Sequence, residues 1–422
     1  MTVDLLALLA ANACFLAAGL GITRATGWWL APEEALGAVG VSYVVGVAAV
    51  GVVSCLLLIA GTALTLVQVL VLAAALAALG LVRGRGAAGT RPRHASPIGR
   101  VLLVPGVVVA VVLAALAVDF WYQPLWKYDA WTFWTPKARA LVELDGLDPD
   151  WFTAADLLNP DYPMLVPALE AILFRFAGVA PEVLDYQSWL LVAGFALAVL
   201  ELVRRRGVPL VLSGWTIAMA ITAPSLGIQA ATAEADVPLA VFVACAAGFG
   251  LVWLEERRLG ALVLVGVLLA AAFASKVEGT IFAVALLLPL AALAWRSSRR
   301  DGLLAVAAGV AAFAVTLLPW RLWLAAHDVE NQATLGRVTD LGLLRDEAER
   351  VPEAAGTMVW ELVDPRSWLL VVPMALVAAV LALRAGRLRG ALLLASSLTL
   401  AVLGLVLAYW TSPLELDFHL LT

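Results

Sequence analysis

Histidine, cysteine and lysine are scarce in this chain, and charge of any kind is thin. Three histidines (His94, His327, His419) and three cysteines (Cys14, Cys55, Cys245) stand singly among 422 residues. None falls in CxxC or other metal-ligand spacing, which excludes a disulfide framework and a His/Cys metal centre. The cysteines are read as small buried hydrophobes. Charged residues make up 14% of the chain, where a soluble domain carries about a quarter. Hydrophobic residues reach 63% and the mean hydropathy is +0.96. Together these exclude a soluble enzyme, a disordered tail and a nucleic-acid-binding domain. No internal repeat and no low-complexity linker marks a second soluble domain.

What the chain has instead is long apolar runs at helical length. A spanning helix needs about 20 mostly apolar residues. Runs of that kind predict spans near 3–22, 36–59, 62–82, 101–118, 185–203, 208–226, 237–254, 259–274, 279–295, 303–323, 367–383 and 391–410. The expectation is an all-α polytopic membrane protein of about twelve transmembrane helices. The first run lacks a basic start and a small-residue cleavage site, so it is read as a retained span.

Arginine orients the spans, because short cytoplasmic loops collect positive charge. The clusters are Arg83, Arg85, Arg91, Arg93 and Arg100; Arg204–Arg206; Arg257 and Arg258; Arg296, Arg299 and Arg300; and Arg384, Arg387 and Arg389. All five fall on one side only if residues 162–178 do not cross. That stretch is short and holds Pro163, Pro167, Glu170 and Arg175, so it is read as a re-entrant or interfacial helix. Both termini then lie outside. Loop 119–161 carries eight acids against three bases, and loop 325–366 nine against four. Long acidic loops outside and short basic loops inside place the chemistry outside. Only Lys127, Lys137 and Lys276 are lysine; that bias, with so much Ala, Val and Leu, suggests a bacterial genome of high GC content.

The outer loops hold the residues that could carry chemistry. Five tryptophans lie between Trp121 and Trp151, Trp131 among them. They form an interfacial aromatic belt, a stacking platform for sugar rings or lipid headgroups, or both. Asp129 sits among aromatics, where partial desolvation would make its carboxylate a better base; it is equally placed to cap the helical stretch from Ala130 to Leu144. Lys137 and Arg139 on that stretch could bind lipid phosphates generally or hold one specific phosphate. Asn159-Pro160-Asp161-Tyr162-Pro163 opens the short helix, whose N-terminus could receive an anion. Glu234 and Asp236 either complement a helix dipole or form a second acidic cluster facing the first. Lys276 either pairs locally with Glu278 or serves as a fixed cation for a phosphate. Charges deep in the spans are nearly absent, which argues against an ion-coupled transporter.

YDAWTFWTPKARAL, NPDYPMLVPALEA, a span ending in RRR, ATAEADVPLAVF and SKVEG follow one another in that order. This series resembles the membrane glycosyltransferases of the GT-C superfamily, and most closely the branch with protein O-mannosyltransferases and aminoarabinose transferases. The resemblance covers about residues 100–325. It implies three regions: 1–100, extra N-terminal spans with a basic cytoplasmic loop; 101–325, the catalytic membrane core; and 326–422, an outer loop with C-terminal spans. It further implies a polyprenyl-phosphate-linked sugar donor and a glycan, lipid or protein acceptor, working among membrane lipids. Asp129 would be the base. Glu234, Asp236, Lys276, Lys137, Arg139, Trp131 and Tyr162 would bind substrate, with inversion at the anomeric carbon. The acids could also hold a divalent cation, although a requirement for one does not follow from them. Three spans precede the one that normally comes first, and the soluble domain that many members carry after the membrane core is not found within these residues. The alternatives are a transporter or lipid flippase, and a non-catalytic lipid-binding scaffold.

Overall fold

A computed structural model describes residues 4–29, 32–35, 37–83, 100–122, 125–154, 157, 159–329, 340–384 and 386–411. Among the described residues the ordered elements are all helices, with no strand. Most of the basic loop 83–100, part of loop 325–366, the strip 412–422, and His94 and His419 lie outside them.

Among the described residues eight helices are long and apolar enough to cross a membrane. They are Leu5–Ala25 (α1), Val39–Ile59 (α3, after the short α2 at Pro32–Ala35), Arg100–Tyr122 (α5), Glu182–Arg205 (α9), Asp236–Glu256 (α12), Glu278–Trp295 (α14), Arg299–Ala326 and Leu388–Trp410. A ninth candidate is bent by 63° between Leu210–Ile221 (α10) and Pro224–Ala230 (α11). Pro224 cannot continue the hydrogen-bond ladder, and it pushes Ala223 into extended backbone (ψ 124°). Three further expected spans are shorter apolar helices: Leu66–Val82 within Leu66–Arg83 (α4), Leu259–Ser275 (α13) and Val371–Arg384. Every predicted span therefore holds an apolar helix, but among the described residues eight, or nine with the bent pair, have spanning length.

The segment 162–178 folds as the thirteen-residue helix Leu165–Ala177 (α8). At about 1.5 Å per residue it is too short to cross. Leu165 to Phe174 are buried without a break. The helix is walled by protein: α3, α4, α9, α13 and Thr135–Glu143 (α6) all pack on it.

The N-terminal helices are packed into the bundle, not appended to it. At Gly19 a Cβ would lie 1.6 Å from the Ser42 carbonyl oxygen, and at Gly46 one would lie 1.8 Å from that of Phe15. Only glycine permits this close crossing of α1 and α3, the usual device where no hydrophobic drive separates helices from lipid. Asn12, Tyr43 and Gln187 close a ring of side-chain hydrogen bonds of 2.6, 2.8 and 2.8 Å across α1, α3 and α9.

Loops assigned to one side gather at one end. At the arginine-rich end Arg205 bonds the Trp28 carbonyl at 2.6 Å and lies over its ring. Arg206 pairs with Glu255 at 2.6 Å and Arg257 with Asp301 at 3.5 Å. At the other end Arg175 pairs with Asp145 at 2.7 Å, and the Trp126 indole N–H donates to the Ala231 carbonyl at 3.0 Å.

Candidate functional site

The acidic end is organised around Lys276. Helix α13 stops at Ser275, Lys276 is extended (φ −154°, ψ 159°), and α14 begins at Glu278. The turn is tight because Gly279 approaches α13 closely: a Cβ there would lie 1.9 Å from the Ala272 carbonyl oxygen. Lys276 Nζ lies 3.1 and 3.3 Å from the two Asp236 oxygens and 3.9 Å from Glu278 Oε1. Its main partner is thus forty residues away, not the local Glu278. Burial opposes the ammonium charge, but the Glu278 and Asp236 carboxylates and Tyr162 outweigh it and hold the Lys276 pKa well above the ordinary lysine value.

Glu234 is buried two residues before Asp236. Burial, then the Asp236 and Asp129 carboxylates, push its pKa up to about 7. Near neutral pH this acid still carries its proton for part of the time. Asp129 is exposed, yet partial burial raises its pKa, with Lys276 and Lys127 pulling down and Asp236 pushing up. Asp129, Glu234, Asp236 and Lys276 therefore share one electrostatic neighbourhood.

The capping reading of Asp129 does not hold. Its backbone is helical (φ −63°, ψ −34°) and its side chain makes no capping bond. A π-helical turn, Ala130–Trp134, follows directly. Such wide turns are frequent at functional sites. This one turns Phe133 and Trp134 inward onto Tyr162, both with ring centroids at 5.7 Å, and onto Val166 and Ala235. Ala235 lies between Glu234 and Asp236, so this aromatic cluster fastens the two acidic loops together. Tyr162 faces Glu278, Lys276, Asp161 and Asp236, and burial with those carboxylates raises its pKa. Trp131 stays exposed, edge-on to Tyr128 at 5.5 Å, as a platform beside Asp129.

Two predicted binding residues are placed elsewhere. Lys137 is fully buried, beneath the Phe133 ring, and its Nζ donates to the Asn159 carbonyl. Burial lowers its pKa to about 7, against the pull of Asp161. A sealed ammonium cannot meet a phosphate at the surface; its helix stretch faces inward because α6 packs on α8. Arg139, on the opposite face, is an exposed i,i+4 partner of Glu143 at 2.7 Å. The structure thus withdraws Lys137 from the surface and leaves Arg139 solvated beside Glu143. In the turn at 159–163 Asp161 is buried, and its carbonyl accepts the Trp320 indole N–H at 2.9 Å.

Sequence reading missed Lys127 and Tyr409, both within electrostatic range of the cluster. Lys127 had a usable signal, two residues before Asp129. Tyr409 had none, since it ends the last helix more than a hundred residues from any of its neighbours here. Among the described residues no group of three or more His, Cys, Asp or Glu side chains is placed to hold a metal ion. Comparison with known proteins finds no matching family model, no matching curated protein and no matching solved structure.

Proposed function

We propose that this chain is a GT-C-type glycosyltransferase with about twelve spans, acting on the outer face of a bacterial plasma membrane. It moves a sugar from a polyprenyl-phosphate donor to an acceptor hydroxyl. One observation carries the reading: a base-competent carboxylate, a proton-holding acid and a fixed ammonium, from three loops far apart in sequence, meet at one end of an apolar helix bundle. In the reaction the acceptor oxygen bonds to the anomeric carbon from the face opposite the phosphate. The anomeric C–O bond breaks with its electron pair going to the polyprenyl phosphate, and the acceptor proton goes to Asp129. Lys276 offsets charge that grows on the leaving phosphate, and Trp131 offers a stacking face for a sugar ring.

Purified protein in detergent should transfer labelled sugar from a polyprenyl-phosphate donor. If none of a panel of such donors is used, the reading is wrong. Sidedness is tested separately in a background lacking the three native cysteines. Asp150 and Ser297 are both exposed, at opposite ends of the bundle. Asp150→Cys should label in intact cells and Ser297→Cys only after permeabilisation; the reverse pattern would invert the site to the cytoplasm.

The pKa of Glu234 gives a pH signature. Below about pH 7 its carboxyl is protonated, and above it adds a negative charge beside Asp129 and Asp236. Affinity for an anionic polyprenyl phosphate should fall as pH rises through 7. Glu234→Gln should flatten that dependence, as titration of binding against pH would show. An unchanged slope in the variant would assign the titration to another group.

A second reading, a proton-coupled transporter, is favoured by one observation. Glu170 and Asp185 are buried acids within electrostatic range of each other inside the bundle. Substrate-driven proton flux into proteoliposomes would favour it over transfer.

A further inference from the structure

Asp185 is a buried acid in the first turn of α9, fully out of contact with solvent. Burying a carboxylate is costly unless it is hydrogen-bonded, and Glu170 nearby adds to the cost. Its Oδ2 accepts the Leu125 backbone N–H at 3.1 Å. One turn further on, Ser188 Oγ donates to the Thr232 carbonyl at 3.4 Å. The Trp126 indole N–H then ties the same two loops directly through the Ala231 carbonyl at 3.0 Å. Leu125 lies four residues before Asp129, and Thr232 lies two before Glu234. Leu125 has φ +45°, a left-handed backbone that a branched side chain adopts only when its surroundings enforce it. One turn of α9 thus grips both loops that carry the acids.

We propose that Asp185 is a positioning residue: through the Leu125 amide it fixes the loop that presents Asp129, in register with the Glu234 loop held by Ser188. The kinetic part of this inference rests on the glycosyl-transfer reading; the geometric part does not. The active feature is the hydrogen-bond acceptor and not the charge, so the two can be separated by substitution.

The experiment compares wild type, Asp185→Asn and Asp185→Ala in detergent by hydrogen exchange and by transfer kinetics. Asn retains an oxygen for the Leu125 amide; Ala does not. Asp185→Ala should speed exchange across 125–132 and 231–235 while the rest of the bundle keeps wild-type protection. It should lower kcat by about 10²-fold with donor KM changed by no more than about threefold, as expected when a catalytic group is misplaced by about an ångström. Asp185→Asn should restore both readouts. Wild-type exchange in Asp185→Ala would overturn the proposal, and so would Asp185→Asn failing as severely as Ala. Should Asp185→Ala not fold, Asp185→Ser, whose shorter side chain does not reach the Leu125 amide, should speed exchange across 125–132 in the same way; wild-type exchange there would overturn the proposal. If wild type transfers no sugar, the functional reading falls while the exchange comparison still decides the tether.

Discussion

Asp129→Asn should insert, fold and bind the donor normally, yet transfer sugar about 10²–10⁴-fold more slowly, the usual worth of general-base catalysis. The structure makes this substitution cleaner than sequence alone would suggest. Asp129 caps no helix and is exposed, so an isosteric change there should leave stability within about 0.5 kcal/mol. Lost activity would then report on the carboxylate itself. The measurement is initial transfer rate at saturating donor, with thermal unfolding in detergent alongside. A variant of normal stability and near-normal transfer would remove Asp129 as the base. Asp236 would be the weaker successor, because its carboxylate is already engaged by Lys276, and Glu234 holds its proton up to about pH 7.

Lys276→Met should do two things at once. It strands Asp236 and Glu278 beside each other and beside Asp129, with Lys127 as the other ammonium in range of that cluster. Removing one partner of a fully buried pair costs about 3–5 kcal/mol. Here Lys276 and Asp236 side chains are 19% and 39% exposed, and solvent screening reduces the expected loss to about 1–3 kcal/mol. Transfer should also fall by about 10²-fold, the scale for removing one group that stabilises developing negative charge. Adding Asp236→Asn should recover stability but not transfer, because it cures the electrostatic imbalance without restoring the cation. If the double variant recovered activity as well, Lys276 would be a structural counter-ion only.

The helical, membrane-spanning character of the chain was legible because it is a sum over local windows: about 20 consecutive apolar residues need no distant partner to be recognised. The segregation of arginine from acid was legible for the same reason, and loops grouped that way do gather at common ends. Proximity of Asp129, Glu234, Asp236 and Lys276 was anticipated only through a resemblance in motif order, since nothing in their spacing demands it. Span lengths were less legible. Pro224 splits one predicted span, and three others fold as helices shorter than a full crossing.

What the sequence by itself determined is the solvent each segment prefers and the separation of its arginine-rich loops from its acidic ones. What only the tertiary structure decided is which charged groups meet. Lys137 and Arg139 lie two residues apart on one helical stretch, yet one is sealed under Phe133 and the other is solvated. Their fates diverge because α8 packs on one face of α6 and not the other. Asp129 is freed from capping because the backbone before it is already helical, and Lys276 takes its partner from a helix forty residues earlier. Burial, pairing and proton affinity all depend on neighbours brought together by packing, and local composition carries no record of that juxtaposition.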